Sequence, residues 1–98
     1  RAAELAPSPR ILFEWALAES ERGDDRKAQS LLQRVVAAQP DMIPAWLGLA
    51  IASYQIGDTA ECRRAALRAL EIQPDLERAR ALLRSIAPRE STHVPRAR

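Results

Sequence analysis

Residues 69–75 read ALEIQPD, a stretch in which a good helix-forming sequence runs into a proline. Proline lacks the backbone N–H that continues a helix, so we expect this helix to end at Pro74. The same ending occurs in residues 36–41, VAAQPD, and the two Gln-Pro-Asp copies lie 34 residues apart (73 − 39). A spacing of this size is typical of a repeat built from one pair of helices.

The 34-residue spacing extends well beyond these two endings. When residues 9–42 are aligned with residues 43–76, eight positions are identical. The identical pairs are Ala16/Ala50, Ala18/Ala52, Gly23/Gly57, Asp24/Asp58, Arg34/Arg68, Gln39/Gln73, Pro40/Pro74 and Asp41/Asp75. Several are glycines and prolines, which have specific roles in ending helices and forming turns. The pattern therefore predicts two copies of one unit.

Each copy carries the signals of two helices. In the first copy, Ser8 is a good N-cap and Pro9 fits the first turn of a helix. Gly23 can adopt the positive φ that often ends a helix, and Asp24 or Asp25 can cap the next one. The second helix has an apolar stripe at helical spacing, which predicts a face turned toward a core. The stripe consists of Ala28, Leu31, Leu32, Val35 and Val36.

The second copy repeats these signals. Pro44 lies in a first turn and Gly57 ends the helix, while Asp58 with Glu61 three residues later resembles a capping box. Another apolar stripe follows at Cys62, Ala65, Ala66, Ala69 and Leu70. We therefore predict an all-α protein of about five helices arranged in antiparallel pairs.

The two ends of the chain are less regular. Asp75 is expected to cap a closing helix over residues 77–87, which Pro88 would end. Residues 88–98 lack helical periodicity, so we expect a flexible tail. Residues 1–7 have two interpretations: the last turns of a preceding repeat, since AAELAP resembles ALEIQP, or a short amphipathic helix. Repeats bury their apolar faces against neighbours, so we expect marginal stability unless the chain dimerises or has an upstream partner.

Length and composition indicate one small globular domain. The chain has 98 residues, of which 47% are hydrophobic and 29% charged, and its net charge is +2. No apolar stretch is long enough for a membrane-spanning helix. The compartment stays open: the cytoplasm is favoured, but a signal removed from upstream of Arg1 could have directed the protein to the periplasm.

The residues provide no recognisable catalytic or metal-binding set. His93 is the only histidine and lies in the expected tail. Cys62 is the only cysteine and lies on an apolar stripe, so we expect a buried thiol rather than a nucleophile. Asp24 and Asp58 fit helix caps better than metal ligands. We therefore expect no enzyme activity, cofactor, metal site or small-molecule substrate.

The 34-residue period and its landmarks resemble the tetratricopeptide repeat family. In the second copy the matching residues are Trp46, Leu49, Ala50, Gly57, Asp58, Ala69 and Pro74. The first copy departs from the family pattern, with Leu12 in place of Trp, Trp15 in place of Leu and Glu19 in place of Tyr. The resemblance covers repeats at residues 9–42 and 43–76. It implies a right-handed α-solenoid whose first helices line a concave groove.

The resemblance also implies which residues face this groove. They are Phe13, Leu17 and Ser20 in the first copy, Leu47, Ile51 and Tyr54 in the second, and Arg78, Ala81 and Ser85 on the closing helix. The partner-binding candidates among them are Phe13, Leu17, Leu47, Ile51, Tyr54 and Arg78. Soluble proteins rarely leave large apolar strips bare. We favour a partner's helix or extended peptide as the cover; a second copy of the chain, or the chain's own terminal segments, are the alternatives.

One subset of the family clamps the C-terminal carboxylate of chaperones with Lys and Asn residues in this groove. The corresponding positions here are Phe13, Leu17, Gly48, Arg78 and Leu82. Only Arg78 could serve, so we predict no clamp of this type.

A second candidate surface is basic. The candidate patch consists of Arg63, Arg64, Arg68, Arg80 and Arg84. One interpretation, which we favour, is a solvated face paired with Glu61, Glu71 and Glu77. The other is a site for RNA or an acidic partner, whose binding would depend steeply on salt.

The sequence thus predicts a non-catalytic scaffold that binds a partner helix or extended peptide in an apolar groove. The alternative is an oligomerisation or docking segment of a larger multi-domain enzyme or of a secretion or assembly machine. Binding of RNA or an acidic partner through the arginines is the least favoured function.

Overall fold

A computed structural model describes the backbone of residues 7–92 and the side chains of residues 7–87. Five helices make up most of the described chain, and none of its residues forms a strand. The helices are α1 (Pro9–Glu21), α2 (Asp25–Ala38), α3 (Ile43–Gln55), α4 (Thr59–Ile72) and α5 (Glu77–Thr92). The predicted all-α class is therefore confirmed, with each 34-residue unit forming one pair of helices.

Helix starts follow the capping signals of the sequence. The Ser8 hydroxyl oxygen accepts a hydrogen bond from the N–H of Ile11 (3.2 Å), and Pro9 occupies the first turn of α1. Asp24, rather than Asp25, caps α2, because its carboxylate accepts from the N–H of Lys27 (3.1 Å). Such caps satisfy amide groups that have no partner within the helix.

The predicted capping box at the start of α4 is only half formed. The Asp58 carboxylate accepts from the N–H of Glu61 (3.2 Å), as expected. The N–H of Asp58, however, donates to the carbonyl of Ser53 (2.8 Å) and not to the Glu61 side chain. Gly57 lies between them with φ of 82°, a conformation that L side chains rarely adopt. The turn itself therefore satisfies the amide that a full capping box would leave to Glu61.

Successive helices pack side by side into a continuous stack. Helix α2 packs against both α1 and α3, and α4 packs against both α3 and α5. Helix α3 also contacts α5 and, less extensively, α1, so the first helices of successive pairs lie next to one another. This arrangement is an α-solenoid, in which each pair contacts only its neighbours.

The core follows the predicted apolar stripes. The predicted α2 stripe is buried throughout, as are Trp46, Leu49 and Ala50 of α3. Cys62 is completely buried, which places its thiol in the core as predicted. The indole N–H of Trp46 donates to the carbonyl of Pro40 (2.6 Å), so the most buried aromatic ring is also tied to the turn between the repeats.

Two predictions about helix α5 are wrong. Asp75 does not cap it: Leu76 precedes the helix, and its carbonyl accepts from the N–H of Arg80 (3.2 Å). Asp75 lies instead within the turn that the Leu76 N–H closes on the Gln73 carbonyl (3.1 Å), as Asp41 lies within the turn before α3. Pro88 does not end it either, since the helix continues to Thr92. Proline removes one hydrogen bond, but its fixed φ is compatible with helix, so a helix already anchored by preceding turns can continue.

Residues 1–6 and 93–98 lie outside the described part of the chain. The predicted end of a preceding repeat at residues 1–7 therefore lies almost wholly outside it. The same holds for His93 and the end of the predicted tail.

Candidate partner-binding groove

Five of the six predicted groove residues lie along one face of the stack. Phe13 and Leu17 of α1, Leu47 and Ile51 of α3, and Arg78 of α5 line one depression of about 220 Å³, together with Pro44 and Gly48. The residues of each helix are four positions apart, which places them on one face. Three first helices therefore contribute to one surface.

A second depression continues the first toward the C-terminal end. It has a volume of about 250 Å³ and is lined by Ile51, Arg78, Ala81, Leu82 and Ser85. Because both depressions share Ile51 and Arg78, they form one continuous surface, which we call the concave groove. Sequence reasoning did not include Pro44 among its lining residues. It named Gly48 and Leu82 only as positions of a carboxylate clamp.

The groove residues differ in how far they reach into solvent. Leu17 is 43% exposed, whereas Phe13 and Ile51 are half-buried and Leu47 is buried. Leu47 therefore belongs to the floor of the groove. Phe13, Leu17 and Ile51 are the apolar side chains of α1 and α3 with surface left to bury against a partner.

Tyr54 and Ser20 lie at the predicted faces but do not line either depression. Tyr54 is half-buried and packs against the core. The Ser20 hydroxyl donates to the Asp25 carboxylate (3.2 Å), which holds it at the turn into α2. Tyr54 and Ser20 stay predicted groove residues that lie outside these two depressions.

Gly48 brings helices α2 and α3 close together beneath the groove. A methyl group at this position would lie 3.4 Å from one terminal carbon of Leu32 and 3.6 Å from the other. The glycine thus allows the second helix of one repeat to approach the first helix of the next. This contact also marks which side of α3 faces the preceding repeat.

Among the described side chains, Arg78 is the only charged one that lines the two depressions. It is exposed and lies where they join. A guanidinium in a mainly apolar groove attracts a carboxylate and can bind it through two parallel hydrogen bonds.

The arginine patch is paired, as the favoured interpretation predicts. The Arg64 guanidinium binds the Glu61 carboxylate at 2.7 Å, Arg68 binds Glu71 at 3.0 Å, and Arg84 binds Glu77 at 2.8 Å. Arg63 and Arg80 are also exposed. Arg64, Arg68 and Arg84 therefore already have carboxylate partners.

The ion pairs shift the titration of their members. The hydrogen bonds from Arg64 hold the pKa of Glu61 below its ordinary value of 4.5, against the opposing effect of burial. The same pair raises the pKa of Arg64. The Arg84 guanidinium likewise lowers the pKa of Glu77.

Arg64 and Arg68 also contact the core tryptophan. Both guanidinium groups lie over the Trp46 ring, each 5.5 Å from its centroid. This stacking gives the two arginines a structural role at the seam between α2 and α4. It further reduces their availability to a nucleic acid.

Residues 7–92 contain no group of three His, Cys, Asp or Glu side chains placed to hold a metal ion. None of the helices in that range is both long enough and apolar enough to cross a membrane.

The paired helices, the 34-residue period and the groove along the first helices define the class of helical-repeat solenoids. A family model of the tetratricopeptide repeat matches residues 20–90, which is most of the chain. The chain belongs to the tetratricopeptide repeat family. Repeats of this family generally mediate protein–protein interaction and are typically non-catalytic. A comparison with curated proteins finds no match.

The family match begins near the end of α1. Most of the first helix thus lies outside it, including Leu12, Trp15 and Glu19, where the first copy departs from the family pattern. The Trp15 ring donates its N–H to the Glu19 carboxylate (3.2 Å), so two of these departures interact directly.

Proposed function

We propose that this protein is a non-catalytic scaffold that binds a partner's helix or extended peptide in the concave groove. The observation that supports this most directly is the continuity of the groove across α1, α3 and α5. A surface built from three successive helices and lined mainly by apolar side chains suits a ligand that extends along the stack.

The anchors of such a ligand are apolar. Burying one Leu- or Ile-sized side chain contributes about 1.5–3 kcal/mol, and association itself costs about 4–15 kcal/mol. Contacts with Leu17 and Ile51 alone would not hold a peptide, so a bound segment must also use Phe13 and the surface near Leu82. In a helical ligand, apolar residues at i, i+3 or i+4, and i+7 would meet these positions.

Arg78 adds a preference for an acidic group near the middle of the ligand. Its position at the junction of the two depressions places the charge among apolar contacts on both sides. We therefore propose a ligand with two apolar anchors that flank an Asp, a Glu or a carboxylate.

The alternative function is docking within a larger enzyme or assembly machine, and it would use the same groove. The two functions differ only in whether the ligand belongs to the same assembly as this chain. We do not propose RNA binding, because Arg64, Arg68 and Arg84 are paired with carboxylates.

A peptide selection tests the proposal with a defined ligand. Peptides of about 12 residues displayed on phage would be selected on the chain, and the Kd of selected sequences measured by fluorescence anisotropy. Leu17→Glu should weaken their binding at least about tenfold, because it places a charge in the apolar surface.

The matched control is Leu67→Glu. Leu67 is also 43% exposed but lies on α4, away from the groove. The groove assignment is wrong if Leu67→Glu weakens peptide binding as much as Leu17→Glu does. It is also wrong if peptides bind and neither substitution weakens their binding. Circular dichroism confirms that each variant keeps its helix content.

A further inference from the structure

The 34-residue equivalence shows that matching positions of α1 and α3 have different surroundings. In α3, Ala45, Leu49 and Ala52 are buried on the stripe that includes Gly48. Gly48 lies against Leu32, so this stripe faces α2 of the preceding repeat. Subtracting 34 from each number gives the equivalent residues of α1, which are Ile11, Trp15 and Ala18.

The equivalent stripe of α1 faces solvent. Ile11 is 56% exposed, Trp15 is 42% exposed, and Ala18 is exposed as well. We call these three residues the α1 end face. Neighbouring exposed apolar residues of this size are uncommon on a protein without a partner. The interior of the stack provides a direct example of what covers such a stripe, namely the second helix of another repeat.

Trp15 is held in place although it is partly exposed. Its indole N–H donates to the Glu19 carboxylate (3.2 Å), and the Lys27 ammonium lies over its ring, 5.5 Å from the centroid. Glu19 is itself buried and lies 3.9 Å from Lys27. An ordered tryptophan loses little conformational freedom on binding, which is one reason why tryptophan is common among the residues that dominate interfaces.

The opposite end of the stack does not fit the α1 end face. In α5, the positions equivalent to Trp46 and Ala50 are Arg80 and Arg84. Both arginines are exposed, and Arg84 is paired with Glu77 (2.8 Å). Head-to-tail stacking of a second copy would set Ile11 and Trp15 against these charges, and burying charges without new partners is costly.

We infer that the α1 end face binds an amphipathic helix in the way that α3 binds α2. The helix carries a stripe of small and branched aliphatic residues, as α2 does. It differs from α2 at the position of Leu32. In α3, Gly48 contacts Leu32 of α2, and the α1 residue equivalent to Gly48 is Glu14. Glu14 is exposed and 3.5 Å from Arg10. The partner helix therefore carries a basic residue where α2 has Leu32.

Two synthetic peptides test this inference. The probe has the sequence of residues 25–38 with Leu32→Lys, and the second peptide keeps Leu32. Both are blocked at their termini, because isolated helices of this length are only partly formed in water. Binding is followed by tryptophan emission of the full chain. Trp46 is buried, so a blue shift on titration reports Trp15.

The expected result is a saturable blue shift with the Lys peptide, and a weaker or absent shift with the Leu peptide. Ile11→Lys should weaken the binding about tenfold. It leaves the fold intact, because Ile11 is more than half exposed. Ile51→Glu in the concave groove should leave the binding unchanged, which separates this inference from the proposed function.

Three results would overturn the inference. The first is no saturable shift up to about 1 mM peptide, a Kd that corresponds to only about 4 kcal/mol. The second is sedimentation of the chain as a dimer that Ile11→Lys dissociates, since a second copy would then cover the face. The third is a red shift of the free chain's emission on Leu5→Asp, since the chain's own N-terminal segment would then be the cover.

Discussion

The N-terminal and C-terminal ends of the stack carry opposite chemistry on helices of the same type. Helix α1 exposes Ile11 and Trp15, whereas α5 exposes Arg80 and Arg84. Terminal repeats of a solenoid need a polar outer face to remain soluble. The C-terminal end meets this requirement and the N-terminal end does not. The difference supports the proposal that a further helix packs on the α1 end face, whereas the described outer face of α5 is solvated.

The largest expected effect compares a buried stripe with its exposed equivalent. Leu49→Ala should lower the free energy of unfolding by about 2–5 kcal/mol, because it opens a cavity between α2 and α3. Ile11→Ala, on the corresponding stripe of α1, should change it by no more than about 0.5 kcal/mol. Urea denaturation followed by circular dichroism measures both. Equal effects would mean that the α1 stripe is buried too.

A second prediction moves one repeat's residue into the other. Ala45→Ile places the side chain found at Ile11 into the equivalent buried position. Overpacking there should cost about 1–3 kcal/mol of unfolding free energy. A neutral result in the same urea experiment would show that α2 and α3 are not closely packed at Ala45. The α3 stripe could then no longer serve as the closely packed reference for the exposed stripe of α1.

A third prediction concerns features that the two repeats share. Gly23 and Gly57 have φ of 90° and 82°, and a methyl group at either position would contact nothing within 4 Å. Gly23→Ala and Gly57→Ala should therefore each cost about 1–2 kcal/mol, from backbone strain alone. Thermal unfolding of the two variants should agree. A large difference between them would indicate that the repeats differ in their turns as well as at their ends.

The sequence predicts well those features that depend on local chemistry. Ser8, Asp24 and Asp58 cap helices as predicted, because a cap needs only amide groups within three residues. Features that depend on neighbouring helices are harder to predict. Helical spacing groups Trp15 with Leu12, Ala16 and Glu19, but those three residues are buried whereas Trp15 is 42% exposed. Its exposure follows from the absence of a helix on that side within the described residues.

In the groove, too, the sequence predicts the local features better than those that depend on neighbouring helices. Helical spacing and family resemblance place Phe13, Leu17 and Ile51 on its surface correctly. They do not reveal that Leu47 is buried, because its burial depends on how closely the helices approach. At Pro88, a rule based on one hydrogen bond predicts the wrong helix end. The use of the groove residues in partner binding stays a prediction.

The smallest expected effect concerns acid. Glu61 and Glu77 have pKa values lowered by Arg64 and Arg84, so both carboxylates favour folding while ionised. This contribution is present above the ordinary pKa of 4.5 and is lost as the pH falls through the lowered values. Glu61→Gln should therefore make the decrease in stability between about pH 5 and pH 3 less steep. Urea midpoints across this range test the effect, and an unchanged slope would contradict it.

The contrast between a covered and an open stripe is tested most directly by quenching the two tryptophans separately with acrylamide. Trp46→Phe leaves Trp15 as the only tryptophan, and Trp15→Phe leaves Trp46. We expect the Stern–Volmer constant of Trp15 to be several-fold larger than that of Trp46, which is buried beneath Arg64 and Arg68. Equal protection of both rings in the free chain would contradict the account, because the α1 end face would then already be covered.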